Sequence, residues 1–239
     1  MVKPLRFLIT LKKVPFNREA RREFLMTEVN EAQRILESVD AIKQGHFVLA
    51  SGRHSEFYVS KDAIYSHPYK VAALCRKMAL NFYKKFPEVV LAPALGGIAL
   101  SQWTASSLSY LLKYEVLALY AEKICNPPDY ILSRGYSQLL QNKRVLIVDD
   151  VLTTGSTINR IIKIAKAHYT TIVGVSVICS RSNKQTSLLE LDSLDCKALI
   201  NLPFESWMAD NCPLCEMNIP INIEYGRGIE FLARFQQKR

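Results

Sequence analysis

The sequence lacks any long hydrophobic run. No apolar stretch approaches the roughly 18 residues that a membrane-spanning helix needs. The apolar stretch at residues 7–11 is too short for the core of a signal peptide. The patterns GxxxxGKS and GxGxxG are also missing, so the usual grounds for an ATPase or a dinucleotide-dependent enzyme are absent. These absences predict a cytoplasmic protein without a membrane segment.

Histidine is scarce, and the four histidines show no sequence spacing typical of metal ligands. The six cysteines are scattered without a secretory signal, so reduced thiols are expected rather than a disulfide framework. Cys212 and Cys215 form a single CxxC, and a structural zinc would need two further ligands. The candidates for these further ligands are Cys196 and the same cysteine pair in a second copy of the chain. We predict a plain turn and no metal site, with zinc as the alternative.

Positive charges exceed negative charges by nine, and five of the nine lie within residues 1–26. This segment is predicted to be a basic extension, followed by one main domain at residues 27–205 and a tail at residues 206–239 that packs on it. The remaining excess suits an anionic substrate. An extension of this length is too short for a winged-helix domain, so nucleic-acid binding is not expected.

Predicted strands and helices alternate along the chain. A first helix is expected from a cap at Thr27 to Gly45, and two short strands follow near residues 46–53 and 57–59. Further strands and helices then alternate, with strands expected at residues 89–92, 116–119, 145–148, 172–178 and 198–200. Alternation predicts an α/β fold with a doubly wound, mostly parallel sheet, on which the N-terminal elements and the tail form a small cap. Residues 124–143 are expected to be a long polar lid or binding loop.

Residues 145–157 carry the clearest functional pattern. Four apolar residues predict a buried strand, and Asp149 and Asp150 follow where a parallel strand emerges into a ligand crevice. A hydroxyl-rich loop then leads into a helix, whose N-terminus and loop amides attract phosphate. Carboxylates accept hydrogen bonds from sugar hydroxyls or help to hold a metal. The pattern therefore predicts a site for a sugar phosphate.

This thirteen-residue run resembles the phosphoribosyl-pyrophosphate (PRPP) signature of the type I phosphoribosyltransferases. The similarity covers about residues 40–200. A second motif, at residues 93–97, follows a strand and resembles the family's pyrophosphate loop, in which glycines let backbone amides approach a diphosphate. The resemblance implies that PRPP is bound by Asp149, Asp150, Val151, Leu152, Thr153, Thr154, Gly155, Ser156, Thr157, Leu95, Gly96 and Gly97.

Residues 51–58 are similar to the N-terminal motif of orotate phosphoribosyltransferases. The resemblance implies that Tyr58 lies near the flat base and that Arg181, at a strand end, meets the carboxylate of the base. Arg53 is expected either to help bind the base or to make a structural or diphosphate contact. The chain departs from the pattern at two positions, because many orotate enzymes carry lysines where Ala50 and Gly96 stand. Lys61, which is nearby in the sequence, is the candidate to replace the lysine missing at Ala50.

The resemblance also implies how the reaction is completed. Lys123 becomes the catalytic-loop lysine, acting with Asp149 and Asp150, and it neutralises charge on the departing pyrophosphate. Arg134 supplies a second positive charge to PRPP. Mg²⁺ would be bound through PRPP, and a homodimer is implied because this loop often reaches a neighbouring subunit. The expected function is transfer of ribose 5-phosphate from PRPP to orotate; transfer to a purine or other base, and a non-catalytic PRPP-sensing regulator, remain alternatives.

Overall fold

The computed structural model describes residues 31–125, 128–181 and 194–236. The expected basic extension and the expected cap at Thr27 lie outside the described residues. Within these three ranges, no helix combines the length and the apolar character needed to cross a membrane.

The described strands form two sheets. A two-stranded antiparallel hairpin consists of β1 (Ile42–Val48) and β2 (His54–Val59). The larger sheet contains six strands: β3 (Val89–Pro93), β4 (Leu117–Cys125), β5 (Pro128–Ile131), β6 (Arg144–Leu152), β7 (Thr171–Ser180) and β8 (Cys196–Asn201). Their order is β5-β4-β3-β6-β7-β8, and every neighbouring pair is parallel except β4 with β5.

The described helices pack around these sheets. They are α1 (Glu31–Ser38), α2 (Lys61–Tyr65), α3 (Pro68–Phe82), α4 (Gly96–Leu112), α5 (Tyr136–Leu140), α6 (Ser156–Lys166), α7 (Pro213–Glu216) and α8 (Gly228–Gln236). Short 3-10 turns occupy Tyr83–Lys85 and Ala209–Asn211.

Strand β6 is apolar over four consecutive residues because helices cover both faces of the sheet. Leu146 and Val148 pack in one buried cluster with α3 and α4, whereas Val145 and Ile147 pack in a second cluster with α6. Successive side chains of a strand point to opposite faces, so a strand buried on both sides needs no polar residue between them. The predicted doubly wound, mostly parallel sheet is confirmed.

Helix α1 ends at Ser38, and the prediction that it continues to Gly45 was wrong. Asp40 adopts a left-handed conformation with φ of 50°, and the backbone N–H of Ala41 donates to the carbonyl of Leu36 at 2.9 Å. A residue in this conformation caps the carboxyl end of a helix and stops it. The chain then enters β1, where pairing with β2 takes the place of the helical hydrogen bonds.

Residues 124–143 do not form the expected long loop. Strand β4 turns back into β5, an edge strand that begins at Pro128, where a proline is tolerated. Tyr130 and Leu132 pack against the cluster that includes α6. The polar composition hid this hairpin, because its few apolar side chains are sufficient to attach it to the sheet.

The tail joins the β1–β2 hairpin through backbone hydrogen bonds. Trp207 and His54 exchange N–H to O bonds of 2.7 and 2.8 Å, in an isolated antiparallel bridge. The N–H of Asn222 donates to the carbonyl of His46 at 2.7 Å. The tail therefore lies against the small sheet near the carboxyl ends of the large sheet's strands.

Candidate functional site

The main cavity lies where the chain direction changes between β3 and β6. These neighbouring strands are followed by α4 and α6, which pack on opposite faces of the sheet. The divergence leaves a crevice at the carboxyl ends of the strands, which is where open α/β sheets bind ligands. Here the crevice has a volume of about 480 Å³ and is lined by the hairpin, the loops after β3 and β6, and the end of β7.

Asp149 and Asp150 form the floor of this cavity, and each is only 8% exposed. The Asp150 N–H donates to Asp149 Oδ1 at 2.9 Å, and the Val151 N–H donates to Asp150 Oδ1 at 2.8 Å. The other oxygen of Asp150 lies 3.2 Å from Lys61 Nζ and accepts a hydrogen bond from the Tyr65 hydroxyl at 3.2 Å. Backbone N–H groups of β6 and side chains of α2 thus fix the orientation of the carboxylate pair.

Both Asp149 and its neighbour Lys61 have raised pKa values at this site. Burial raises the pKa of Asp149, the neighbouring charge of Asp150 raises it further, and the Asp150 N–H and Lys61 oppose the shift. Burial would lower the pKa of Lys61, but the charge and hydrogen bond of Asp150 outweigh it, so the pKa of Lys61 is raised. The site therefore keeps an ammonium group beside two crowded acids.

Gly96 and Gly97 are required by close packing at the loop after β3. A Cβ atom on Gly96 would lie 2.8 Å from the ring carbon Cε2 and the hydroxyl of Tyr65, and one on Gly97 would lie 2.8 Å from Cβ of Ala92. The departure from lysine at Gly96 has a physical reason, because Tyr65 fills the space that a side chain would enter. Leu95, in the same loop, is 84% exposed and lines the cavity.

The hydroxyl-rich loop at residues 153–157 leads directly into α6. Gly155 has φ of 74°, which permits the turn between strand and helix, and the Thr154 hydroxyl donates to Ser156 Oγ at 3.2 Å. No acidic side chain occupies the first turn of α6. The positive end of the helix dipole is therefore available to an anion in the cavity.

Arg181 marks the opposite end of the cavity. Its Nη2 donates to Ser55 Oγ at 2.9 Å and to the Phe57 carbonyl at 3.2 Å, and its guanidinium lies 5.8 Å from the centre of the Phe204 ring. Burial lowers the pKa of Arg181. An arginine held in place in this way presents a fixed positive charge to an anionic group.

Tyr58 and Arg53 line the same end. The Tyr58 ring is half-buried and packs near Phe47 and Tyr225, with ring centres 5.5 and 5.8 Å apart. Arg53 Nε donates to Ser206 Oγ at 2.9 Å. Aromatic rings and two arginines therefore surround the space that the sequence assigned to a flat, charged base.

Most residues predicted for the site meet in this cavity. The structure brings together Arg53, Tyr58, Leu95, Gly96, Gly97, Asp149, Asp150, Val151, Thr153, Thr154, Thr157 and Arg181. Leu152, Gly155 and Ser156 are not among the described residues that line it, since Leu152 and Gly155 are buried behind the loop. Ser156 is exposed at the start of α6, where its Oγ accepts the hydrogen bond from Thr154.

Lys123 and Arg134 also lie outside the described lining of the cavity. Lys123 is exposed on β4, opposite Tyr130 of β5. Arg134 forms an ion pair with Glu122, with Nη2 and Oε1 2.9 Å apart. The two cations predicted to close over the pyrophosphate therefore do not line the cavity of their own chain, and their roles stay predictions.

Sequence reasoning missed several residues that line or support the cavity. Tyr130 was hidden because its segment was expected to be a loop, and Tyr65 carried no motif of its own. Phe204 and Ser206 come from the segment after β8, which no pattern connected with the hairpin. Lys61 was noticed only as a neighbour of the motif in the sequence, and its ion pair with Asp150 now gives it a defined place.

Comparison with known proteins agrees with this geometry. The family model of the phosphoribosyl transferase domain matches residues 60–207. The chain is 32% identical over 188 residues to the orotate phosphoribosyltransferase of Chlorobium phaeobacteroides (strain DSM 266), covering 79% of this chain and 91% of that protein. It is 34% identical over 190 residues to that of Caldicellulosiruptor saccharolyticus, covering 79% and 92%.

Solved structures share the fold. The orotate phosphoribosyltransferase of Mycobacterium tuberculosis H37Rv in complex with Fe(III) dicitrate has a TM-score of 0.56 at 19% identity, covering 72% of this chain and 97% of that one. The enzyme of the same name from Aeropyrum pernix has a TM-score of 0.54 at 21% identity, covering 71% and 93%. At these identities the likeness establishes the architecture only.

Replacing Gly96 by alanine tests the close packing with Tyr65. Gly96→Ala should lower the free energy of unfolding by about 1–3 kcal/mol, because the new methyl group overlaps the half-buried ring of Tyr65. In a Tyr65→Ala background the same change should be neutral or stabilising, since alanine is favoured over glycine in a helix. Urea denaturation of the parent, the two single variants and the double variant measures these changes in the free energy of unfolding. An equal loss in both backgrounds would contradict the contact.

The raised pKa of Asp149 predicts a pH-dependent gain from Asp149→Asn. Because the pKa is higher in the folded chain than in the unfolded chain, the stabilising effect of the protonated carboxyl is complete below the unfolded pKa and lost as pH rises through the folded pKa. The variant should therefore be more stable than the parent at pH 8, by more than about 1 kcal/mol, with the gain shrinking towards pH 5.

Denaturation curves at the two pH values measure this difference. Asp210→Asn, which removes an exposed carboxylate in the tail, is the matched control and should show no such gain at either pH. A loss of stability in Asp149→Asn that is equal at pH 5 and pH 8 would refute the assignment.

Proposed function

This chain belongs to the phosphoribosyl transferase domain family, and on that premise we propose that it transfers ribose 5-phosphate from PRPP to orotate. Pyrophosphate and orotidine 5′-monophosphate are the products. One observation carries the proposal: a single cavity joins a buried carboxylate pair, a helix N-terminus and an arginine fixed among aromatic rings.

The ribose phosphate is held at the end of the cavity formed by β6 and α6. Asp149 and Asp150 accept hydrogen bonds from the ribose hydroxyls, and the loop at residues 153–157 receives the 5′-phosphate. The diphosphate lies along Gly96 and Gly97, where backbone amides can approach it. Lys61 is close enough to Asp150 to supply positive charge where the substrate carries most of its negative charge.

Orotate occupies the end of the cavity near the hairpin. Its carboxylate pairs with Arg181, whose guanidinium is already oriented by Ser55 and the Phe57 carbonyl. Tyr58 and Phe204 supply aromatic surface beside a flat ring. A purine lacks the carboxylate and would leave the half-buried guanidinium of Arg181 without an anionic partner, which disfavours it.

Catalysis relies on positioning and on electrostatics. The bond from the ribose to pyrophosphate breaks ahead of attack by the base, so positive charge develops on the ribose ring. Asp149 and Asp150 lie where this charge develops, and their orientation is fixed before the substrate arrives. In their ionised form, which Lys61 favours, the two buried carboxylates stabilise this positively charged transition state more than the neutral ribose of the ground state.

Mg²⁺ fits this donor set as an ion carried by the substrate. Two adjacent carboxylates are suitable oxygen ligands, but magnesium in such sites keeps most of its coordination to water and substrate phosphates. Asp149 and Asp150 would contact it, directly or through water. When bound, the ion neutralises charge on the leaving pyrophosphate.

The proposal includes a cytoplasmic homodimer. Lys123 and Arg134 lie outside the cavity of their own chain, so they can serve the reaction only from a partner subunit or after the β4–β5 hairpin moves. Arg134 would exchange its ion pair with Glu122 for the substrate, and Lys123 would face the departing pyrophosphate.

An assay of pyrophosphate release tests the reaction. Incubation with PRPP, Mg²⁺ and orotate should give turnover, whereas adenine or hypoxanthine should not. Asp150→Asn should lower kcat/KM for PRPP about 10- to 100-fold, the effect of weakening a hydrogen bond to a charged group. Asp210→Asn, an exposed carboxylate in the tail, is the matched control and should not change it. Turnover with a purine and none with orotate would overturn the choice of substrate.

Co-expressed variants test the exchange between subunits. Lys123→Ala and Asp150→Asn each remove one part of the site, so each homodimer should be nearly inactive. Random two-fold pairing places one intact site in each mixed dimer, which should restore about one quarter of the parent activity. Mixed dimers without recovered activity would show that Lys123 does not act in the partner's site.

A further inference from the structure

Four potential metal ligands from distant parts of the chain meet beside the small hairpin. His46 belongs to β1, His54 begins β2, Cys212 directly precedes α7, and Cys215 lies within α7. Their ligand atoms all lie within 4.8 Å of one another. His46, His54 and Cys212 are buried and Cys215 is half-buried. None of these four side chains lines the proposed transferase cavity, so the cluster needs a separate explanation.

The distances match those of a tetrahedral zinc site. Zinc bonds of about 2.0 Å to nitrogen and 2.3 Å to sulfur place the two ligand atoms about 3.6 Å apart. Here His46 Nε2 lies 3.7 Å from each sulfur, and His54 Nδ1 lies 3.4 Å from Cys215 Sγ. The two ring nitrogens are 2.8 Å apart, and would separate by about half an ångström around an ion.

The orientation of the His46 ring is the one that a metal ligand requires. The carbonyl of Ile219 accepts a hydrogen bond from Nδ1 at 2.7 Å, which fixes the hydrogen on that nitrogen and leaves the lone pair of Nε2 directed at the cluster. Metal-bound histidines usually make such a bond through their second nitrogen. Ile219 follows α7 closely, so the segment that supplies both cysteines also orients a histidine.

A hydrogen bond between the two rings does not satisfy the cluster. If His54 Nδ1 donates to His46 Nε2, then His54 Nε2 becomes a buried acceptor, and no hydrogen-bond partner is found for it among the described residues. The two thiols would also remain without a strong acceptor. Buried polar groups normally have partners, so an additional group at the centre is indicated.

We propose that His46, His54, Cys212 and Cys215 bind one Zn²⁺ ion. Two thiolates and two neutral imidazoles balance the charge of the ion and form a common structural donor set. All four positions are taken by protein, so the site has no open position for a substrate and is structural rather than catalytic.

The prediction of a plain turn missed this site because it searched the sequence for regular ligand spacing. The histidines lie on paired strands whose register shifts between Gln44 and Phe47, beside His46. The hairpin brings the two histidines together, so their spacing in the sequence does not have to match a metal-binding motif. Cys196, the expected partner of the two cysteines, is exposed on β8 and does not belong to the cluster.

The ion would join the tail to the part of the hairpin that forms the base end of the cavity. His54 lies between Arg53, which bonds Ser206, and Ser55, whose hydroxyl donates to the Glu205 carbonyl at 2.8 Å and accepts a bond from Arg181. Fixing His54 therefore fixes both arginines of the cavity. This consequence rests on the proposed function, whereas zinc binding itself does not.

Metal analysis of the purified full-length protein tests the proposal. We expect one zinc per chain, and the Co²⁺-substituted protein should show the intense visible absorption of tetrahedral cobalt with thiolate ligands. Cys215→Ser and His54→Gln should each lower the bound metal at least 10-fold after dialysis. Cys196→Ser is the matched control and should retain one zinc. A parent protein that holds no zinc after reconstitution, or a disulfide between Cys212 and Cys215, would overturn the proposal.

Metal removal from the parent protein keeps the test independent of variants that fail to fold. A chelator should lower the Tm by roughly 10 °C, and added zinc should restore it. In the pyrophosphate assay, the depleted protein should show a larger increase in KM for orotate than for PRPP. An unchanged Tm after verified removal of zinc would contradict a structural role, whatever the outcome of the transferase assay.

Discussion

The structure depends on two adjacent carboxylates held out of water at the carboxyl end of a central strand. Asp149 and Asp150 are kept there by the burial of β6 on both faces, since the strand cannot shift without exposing four apolar residues. Mutual repulsion and burial make the ionised pair unfavourable. Lys61 and Tyr65 from α2 relieve part of this repulsion, and ribose hydroxyls would relieve more. The site is therefore less stable without its substrate than with it.

This constraint determines what neighbouring segments can be. Tyr65 must approach Asp150, so Gly96 cannot carry the side chain that orotate enzymes often have there. Lys61, the candidate to replace the lysine missing at Ala50, forms an ion pair with Asp150. At the other end, Arg181 is held by the hairpin, and the tail holds the hairpin through Ser206 and Glu205. The proposed zinc ion reinforces the same connection.

The parts of the fold predicted from the sequence are those determined by local pattern. The apolar run before Asp149 indicated a strand buried on both sides, and the hydroxyl-rich loop after it indicated the start of a helix. The features that were missed depend on tertiary contacts. Pairing with β2 ended α1 early, a few apolar contacts turned an expected loop into the β4–β5 hairpin, and Tyr65 and the histidines gained partners far along the chain. No local pattern encodes such contacts.

A crystal structure of the protein with PRPP, Mg²⁺ and a non-reactive analogue of orotate tests the central claim most directly. The account predicts ribose hydroxyls on Asp149 and Asp150, the 5′-phosphate against residues 153–157 at the start of α6, and the analogue's carboxylate on Arg181. Ribose bound away from the two carboxylates, with the pair instead buried against protein, would contradict it.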